Sequence, residues 1–301
     1  MKKILWIIGL GMIGTSVLAQ THTEKITREF SFEKTSPENA LMIANINGDV
    51  KVIGYEGTKI QVEITKTING KTQARLEEGK AAIQLGVMDD VDSIVLYIAG
   101  TCSTFSKSSR NKSRNNSGNR WMRNWNYSWN DRGKNCDEKF EYTMDFVVKV
   151  PVGINVMVST INDGEISVEN VKGIVYASNI NGGIKLKNLM REAEASTING
   201  DVDIEYAKNP MKDCRFYSLN GDINAYFQKG LAANFSFESF NGDFYTDIEP
   251  LESLPVHVVE TKNGEGIKYK VNGNRYKIRT GGPLLDFETF NGNVYLKERT
   301  N

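Results

Sequence analysis

The chain has 301 residues, with 37 Lys and Arg balanced by 37 Asp and Glu, two His and three Cys. That length accommodates one large domain or two small ones. With so few His and Cys, and neither His22 nor His257 at ligand spacing, a Ser-His-Asp or Cys-His group and a zinc site are not expected.

In chain order, the first signal is at the N-terminus. Lys2 and Lys3 precede an apolar run from Ile4 to Val17, and Val17-Leu18-Ala19 places small or modest side chains at the −3 and −1 positions. Charge, apolar run and cleavage site in that order read as a secretory signal peptide. The run, of about 15 residues, is shorter than the ~20 of a membrane-spanning helix. Residues 1–19 are therefore expected to be removed, leaving 20–301 as a domain exported to the periplasm, the outer cell envelope or the exterior. No cysteine lies near the cleavage site to carry a lipid, and no later segment is apolar enough to span a bilayer.

Beyond the first Asn-Gly turn, at Asn47-Gly48, residues 70–85 suit a short helix with Ala74, Ala81, Ala82 and Leu85 toward the core. Such a helix is expected to cap an open end of the domain. Residues 103–135 then carry eight Lys or Arg against one acid, Asp131, and almost no aliphatic side chain. The rest of the chain is correspondingly acidic. This insert is expected to be disordered, since it has too little apolar surface to offset chain entropy. It nevertheless holds Trp121, Trp125 and Trp129 at helical spacing, with Arg120, Arg123 and Tyr127 among them. A helix formed on contact would present indoles on one face with cations beside them, suited to a glycan, a cell surface or an anionic membrane. Nucleic acid is not expected as a partner of an exported protein. Cys102 and Cys136 flank the insert and are candidates for a disulfide, leaving Cys214 odd and expected to be buried on a strand.

The remainder is repetitive. Ile46-Asn47-Gly48-Asp49-Val50 recurs around Asn181-Gly182, Asn199-Gly200, Asn220-Gly221, Asn241-Gly242 and Asn291-Gly292, and in a lengthened form at Ile161-Asn162-Asp163-Gly164. From Asn162 the intervals are 19, 18, 21, 21 and 50 residues. Four residues before each Asn stands an apolar side chain (Ile43, Val158, Ala177, Ala195, Phe216, Phe237, Phe287), and two before it a small polar one (Asn45, Thr160, Asn179, Thr197, Ser218, Ser239, Thr289). Period-two alternation around a turn marks two short strands. Antiparallel hairpins are one solution. A constant 18–21-residue unit instead favours an all-β, single-stranded parallel β-helix, right-handed by the usual crossover preference. In that β-solenoid Asn181, Asn199, Asn220 and Asn241 would stack on neighbouring coils, Gly would supply positive φ at each corner, and Ile198, beside the turn, would be core. The 50-residue interval is expected to hold strands at 267–271 and 276–279. Lys297, Glu298 and Arg299 charge the final strand against edge-to-edge growth.

Asp49, Asp201, Asp222 and Asp243 form a column like that of calcium-binding β-rolls, but Gly183 and Asn293 interrupt it and the nonapeptide spacing is missing. Turn carboxylates normally bond local backbone, so neither metal nor cofactor is expected. Asp203 and Glu205 are the sort of carboxylates a polysaccharide-active β-helix would use, yet any acidic surface supplies them.

The repeated I-N-G-D-V unit, with Val150-Pro151-Val152-Gly153-Ile154 leading into the continuous run, resembles the bacterial adhesin family that includes auto-transporter adhesin heads named for a G-I-N motif. The similarity covers residues 24–301 and is best over 147–246 and 280–296. It implies a secreted or periplasmic β-helix and, more weakly, adhesion. The expected function is a non-enzymatic envelope module that binds a surface or a glycan. An envelope scaffold that self-associates or serves an envelope-stress system, and a polysaccharide-active enzyme, are the alternatives.

Overall fold

The computed structural model describes residues 20–100, 102–107, 125–129, 138–255, 258–263, 266–271 and 274–299. The signal peptide expected at 1–19 lies outside them. The described chain is almost entirely β with one helix, and no sheet closes into a barrel.

Seven copies of a two-strand unit dominate. In chain order they are Ala40–Ala44 with Val50–Tyr55 (unit 1), Asn155–Ser159 with Ile166–Glu169 (unit 2), and Val175–Ser178 with Ile184–Leu189 (unit 3). Ala193–Asn199 with Val202–Tyr206 (unit 4) and Cys214–Asn220 with Ile223–Phe227 (unit 5) follow. Ala233–Asn241 with Phe244–Thr246 (unit 6) and Leu284–Asn291 with Val294–Glu298 (unit 7) complete the set. First strands join one sheet (sheet I) and second strands another (sheet II), parallel and in register with their neighbours. The hairpin alternative fails: Val202 pairs in parallel with Ile184 and Ile223, not with Ile198 across its own turn. Buried side chains from both sheets form one apolar cluster. Ile43, Val158, Ala177, Ala195, Phe216, Phe287 and Phe237 make one inward row, as the alternation predicts.

The order of units in space departs from their order in the chain at both ends. Unit 7 lies between units 5 and 6, so Asn291, not Asn241, neighbours Asn220. At the other end, Ser93–Ala99 and Phe140–Pro151 pair in parallel with the two strands of unit 1 and together form an outer unit. Unit 1 is thus enclosed between that outer unit and unit 2, although the outer unit follows it in sequence. Each terminal repeat is clasped on two sides, where a terminal strand would otherwise fray. The strand row ends in antiparallel pairs: Gln20–Phe30 on Ile60–Gly70 and Gln84–Asp89 on Ser93–Ala99 at one end, Asn274–Ile278 and Leu251–Ser253 beside unit 6 at the other. Gly266–Val271 and Asn274–Ile278 match the strands expected in the long interval.

The helix, α1 (Gln73–Ala82), packs on Ile60–Gly70 and Phe140–Pro151. Leu76 and Gly79 are its buried residues, while Ala74 and Ala81 are exposed. A Cβ on Gly79 would stand 2.7 Å from Ile68 and 2.8 Å from Phe140. The close approach of α1 to the sheet at glycine, with Leu76 one turn earlier, decides the buried face in place of the alanines. Ala82 and Leu85 still pack at the margin of the core, as expected.

The corners explain the motif. Asn162 donates its amide to the Asn47 side chain (3.0 Å), Asn199 to Asn181 (2.8 Å), Asn220 to Asn199 (2.9 Å), Asn291 to Asn220 (2.8 Å) and Asn241 to Asn291 (2.9 Å). One row inward, Thr160, Thr197 and Ser218 donate to the carbonyls of Gly48, Gly182 and Gly200, turning buried hydroxyls into rungs between units. The Asp carboxylates accept backbone N–H from the next corner: Asp49 from Glu165, Asp201 from Asp222, and Asp222 from Asn293. Asn293 accepts from Asp243 N in the same way, so an amide oxygen serves where the Asp column breaks. The bonds run between units rather than within the turn. For the glycines, close approach outweighs positive φ as the common constraint. A Cβ on Gly200, Gly221, Gly292 or Gly242 would lie 1.8 to 2.4 Å from the carbonyl oxygen of the neighbouring corner glycine.

Ile198 is not core. It is 38% exposed, in line with Ile180, Phe290 and Phe240. Counting by two from buried Ala195 and Thr197 places Ile198 outside; Ile46, at the equivalent position of unit 1, is buried because the outer unit and unit 2 enclose it. Cys214 is free and buried, 3.2 Å from the Tyr206 hydroxyl, and burial pushes its thiol up to about 11. The thiolate is thus suppressed until the pH nears that value. The native protein at pH 8 is expected to resist iodoacetamide at Cys214 and to react fully once denatured, as read by mass spectrometry.

Candidate binding face

The insert expected to be disordered is ordered in part. Ser103–Lys107 and Trp125–Trp129 form an antiparallel strand pair, where disorder, turning helical only on contact, was the expectation. It arises where the outer unit would have its Asn-Gly corner, between Ser93–Ala99 and Phe140–Pro151. The insert is a greatly lengthened corner, and Asp145 preserves the corner's Asp function by accepting from Asp49 N (2.9 Å).

This hairpin lies on the outer face of sheet I. Phe105 stacks on Tyr97 with centroids 5.0 Å apart and meets Tyr127 at 5.0 Å. With Met42, Ala44 and Val95 these residues form a second apolar cluster. The Tyr127 hydroxyl donates to Ala44 O (2.7 Å) and accepts from Ile98 N (2.7 Å), bridging unit 1 and the outer unit. Burial holds its pKa well above the usual tyrosine value, so the hydroxyl keeps its proton and stays a donor. Tyr127 therefore anchors the hairpin rather than offering its hydroxyl to a ligand. Tyr127→Phe is expected to cost about 1–3 kcal/mol, since it strands a buried donor and acceptor. A lower urea midpoint with unchanged slope checks this. Trp121, Arg120 and Arg123 lie outside the described residues, and Trp125 and Trp129 fall on the strand. Cys102 is disulfide-bonded; Cys136, its expected partner, lies outside the described residues.

Beyond the hairpin the same face is an open groove of about 530 Å³. Its walls come from two outward rows across units 2, 3, 4, 5 and 7. Five residues before each Asn stand Met157, Tyr176, Glu194, Arg215 and Asp286, and three before it Ser159, Ser178, Ser196, Tyr217 and Glu288; all but Asp286 line the groove. Arg215 is held by Glu288 at 2.9 Å and Asp286 at 3.6 Å. Ser196 donates to Ser178 at 3.4 Å. Tyr176 and Tyr217 are half-buried. The apolar and small polar rows at −4 and −2 face inward and stand out in the sequence; these outward rows carry mixed side chains and do not. The same alternation, read for its outward positions, would have found them.

The carboxylates considered for catalysis are on sheet II, away from the groove. Asp203 accepts from Asn224 (2.9 Å), and Glu205 pairs with Arg299. Among the described residues no group of three or more His, Cys, Asp or Glu is arranged to hold a metal, and no helix is long and apolar enough to cross a membrane.

No family model and no curated protein matches the chain. Among solved structures it is similar to a candidate cell adhesion protein from Clostridium sporogenes, at 12% identity and TM-score 0.45, over 92% of this chain and all (100%) of that one. A candidate adhesin from Bacteroides fragilis aligns at 12% identity and TM-score 0.32, over 92% and 97% of the two chains. Another from Parabacteroides distasonis aligns at 9% and 0.23, over 93% and 97%.

Proposed function

We propose that this chain is an exported, non-enzymatic module that binds a surface, in the manner of an adhesin. In this reading the repeated units are coils of a single-stranded parallel β-solenoid. The outer face of sheet I is its contact surface. The single observation that carries the reading is the hairpin seated by Phe105 and Tyr127 on the very face where the groove opens. A lengthened corner that folds back onto one face adds side chains there beyond those of the repeated units. Surface-exposed aromatic and charged side chains on a rigid scaffold suit binding more than packing. The test is retention of purified residues 20–301 on intact cells and envelope fractions, compared with Tyr176→Ala/Tyr217→Ala. Loss of retention in the variant, with unchanged melting, is the expected result. Equal retention would move the function off this face.

A self-associating scaffold is the second reading, favoured by one feature. Phe240 and Phe290 stack at 4.8 Å while 74% and 43% exposed, continuing the ridge of Ile198 and Ile180. Exposed apolar ridges of this kind often mark contact sites. Sedimentation of Phe240→Ser/Phe290→Ser beside wild type tests it: oligomers confined to wild type would support the scaffold.

A further inference from the structure

From the composition of the groove we infer that it takes a neutral, linear glycan running along the stack of units. The inference rests on the surface-binding reading and specifies its ligand. The first ground is charge. Arg215 is the one cation among the lining residues, and it is already engaged by Glu288 and Asp286, with Glu194 on the adjacent strand. Among the described lining residues an anionic chain such as a polyuronate would meet Glu194 and Glu288, and no cation other than the already paired Arg215. Neutral hydroxyls, by contrast, can donate to those carboxylates and exchange hydrogen bonds with Ser159, Ser178 and Ser196.

The second ground is repeat length. The serines occupy one register position on adjacent strands, so they recur at about 4.8 Å along the stack. That spacing admits roughly one pyranose ring per rung. An extended peptide presents same-side residues every ~6.7 Å and would fall out of step within two rungs. A peptide added as an extra strand needs a free sheet edge, whereas here the backbone groups beneath the groove are paired on both sides. Tyr176 and Tyr217 sit two strands apart in the two neighbouring outward rows, which puts two aromatic side chains about 10 Å apart along the stack and on either side of the groove's axis. Spacing of that order suits contact with alternate sugars of one chain. At the unit 2 end of the groove Met157 packs against the Phe105 cluster.

The experiment is calorimetric titration of residues 20–301 with four probes. These are hexamers of glucose and of N-acetylglucosamine, a galacturonate hexamer and a lysine-rich peptide. At least one neutral hexamer should bind, its dimer much more weakly, and the galacturonate not at all. Tyr176→Ala/Tyr217→Ala should weaken binding roughly tenfold or more, the scale of lost aromatic anchors. Ser178 is exposed, so Ser178→Arg should block the groove without touching the core. Binding of the galacturonate or the peptide in preference to both neutral hexamers would overturn the glycan class. If cells retain the protein through this face yet no neutral hexamer binds, the glycan class fails and the surface-binding reading survives. If cell retention is indifferent to both variants, the surface-binding reading fails with it.

Discussion

Gly182→Ala is expected to destabilise the protein by about 2–5 kcal/mol, combining backbone strain with overpacking. Gly182 has φ +150°, and an added Cβ would lie 2.0 Å from Gly164 O and 2.8 Å from the Asn179 amide nitrogen. The obstacle is backbone, held in place by the bonds of the adjoining corner, so it cannot rotate away as a flexible side chain would. Gly182 O is also the acceptor for the Thr197 hydroxyl at 2.9 Å, so a shift at one corner disturbs the next. For a domain of this size the melting temperature should fall by about 5–20 °C. Gly153→Ala is the internal control, because nothing stands within 4 Å of a Cβ there. Equal melting of the two variants in differential scanning calorimetry would show that the corners tolerate a side chain and that the stacked-glycine account is wrong.

Phe287→Ala is expected to cost about 3–5 kcal/mol, as for other fully buried aromatics. Where the damage spreads depends on topology. Phe287 is fully buried, 5.4 Å from the Phe216 ring, and its strand pairs with unit 5 on one side and unit 6 on the other. In a stack that followed chain order, damage in the final unit would fray the C-terminus alone. Here it loosens the bridge that carries unit 6, although unit 6 precedes it in sequence. Amide hydrogen exchange should therefore show protection lost across Ala233–Asn241 and Asn274–Ile278, and retained in units 1 to 4. Protection retained in unit 6 would contradict the transposed order.

Much of the fold was legible locally. The Asn-Gly corners, the inward row four residues before each Asn, the polar rung two before it and the strands of the long interval are encoded in short-range pattern. Alternation has period two, and each corner needs the same small set of side chains, so a single unit read alone suffices. The outward position of Ile198 is also encoded in the alternation that runs from buried Ala195 through Thr197. The outward rows that line the groove were equally present in the pattern.

Neighbour order is a different matter, and the tertiary structure decided it. Units 6 and 7 offer the same rungs to unit 5: Phe235 or Leu285, Phe237 or Phe287, Ser239 or Thr289, Asn241 or Asn291. Parallel in-register pairing rewards likeness rung by rung, and likeness is what a repeat provides, so the motif cannot say which copy lies next to which. The same holds for unit 1, whose enclosure depends on two strands, Ser93–Ala99 and Phe140–Pro151, contributed from beyond the α1 segment. The ordered hairpin escaped the sequence reading for a related reason. Residues 103–135 have too little apolar surface to fold alone, but Phe105 and Tyr127 complete a cluster with Val95 on the preceding strand and with Met42 and Ala44 from unit 1, far away in the chain. Local composition determines whether a segment can fold by itself; a surface supplied by the rest of the chain determines whether it folds at all.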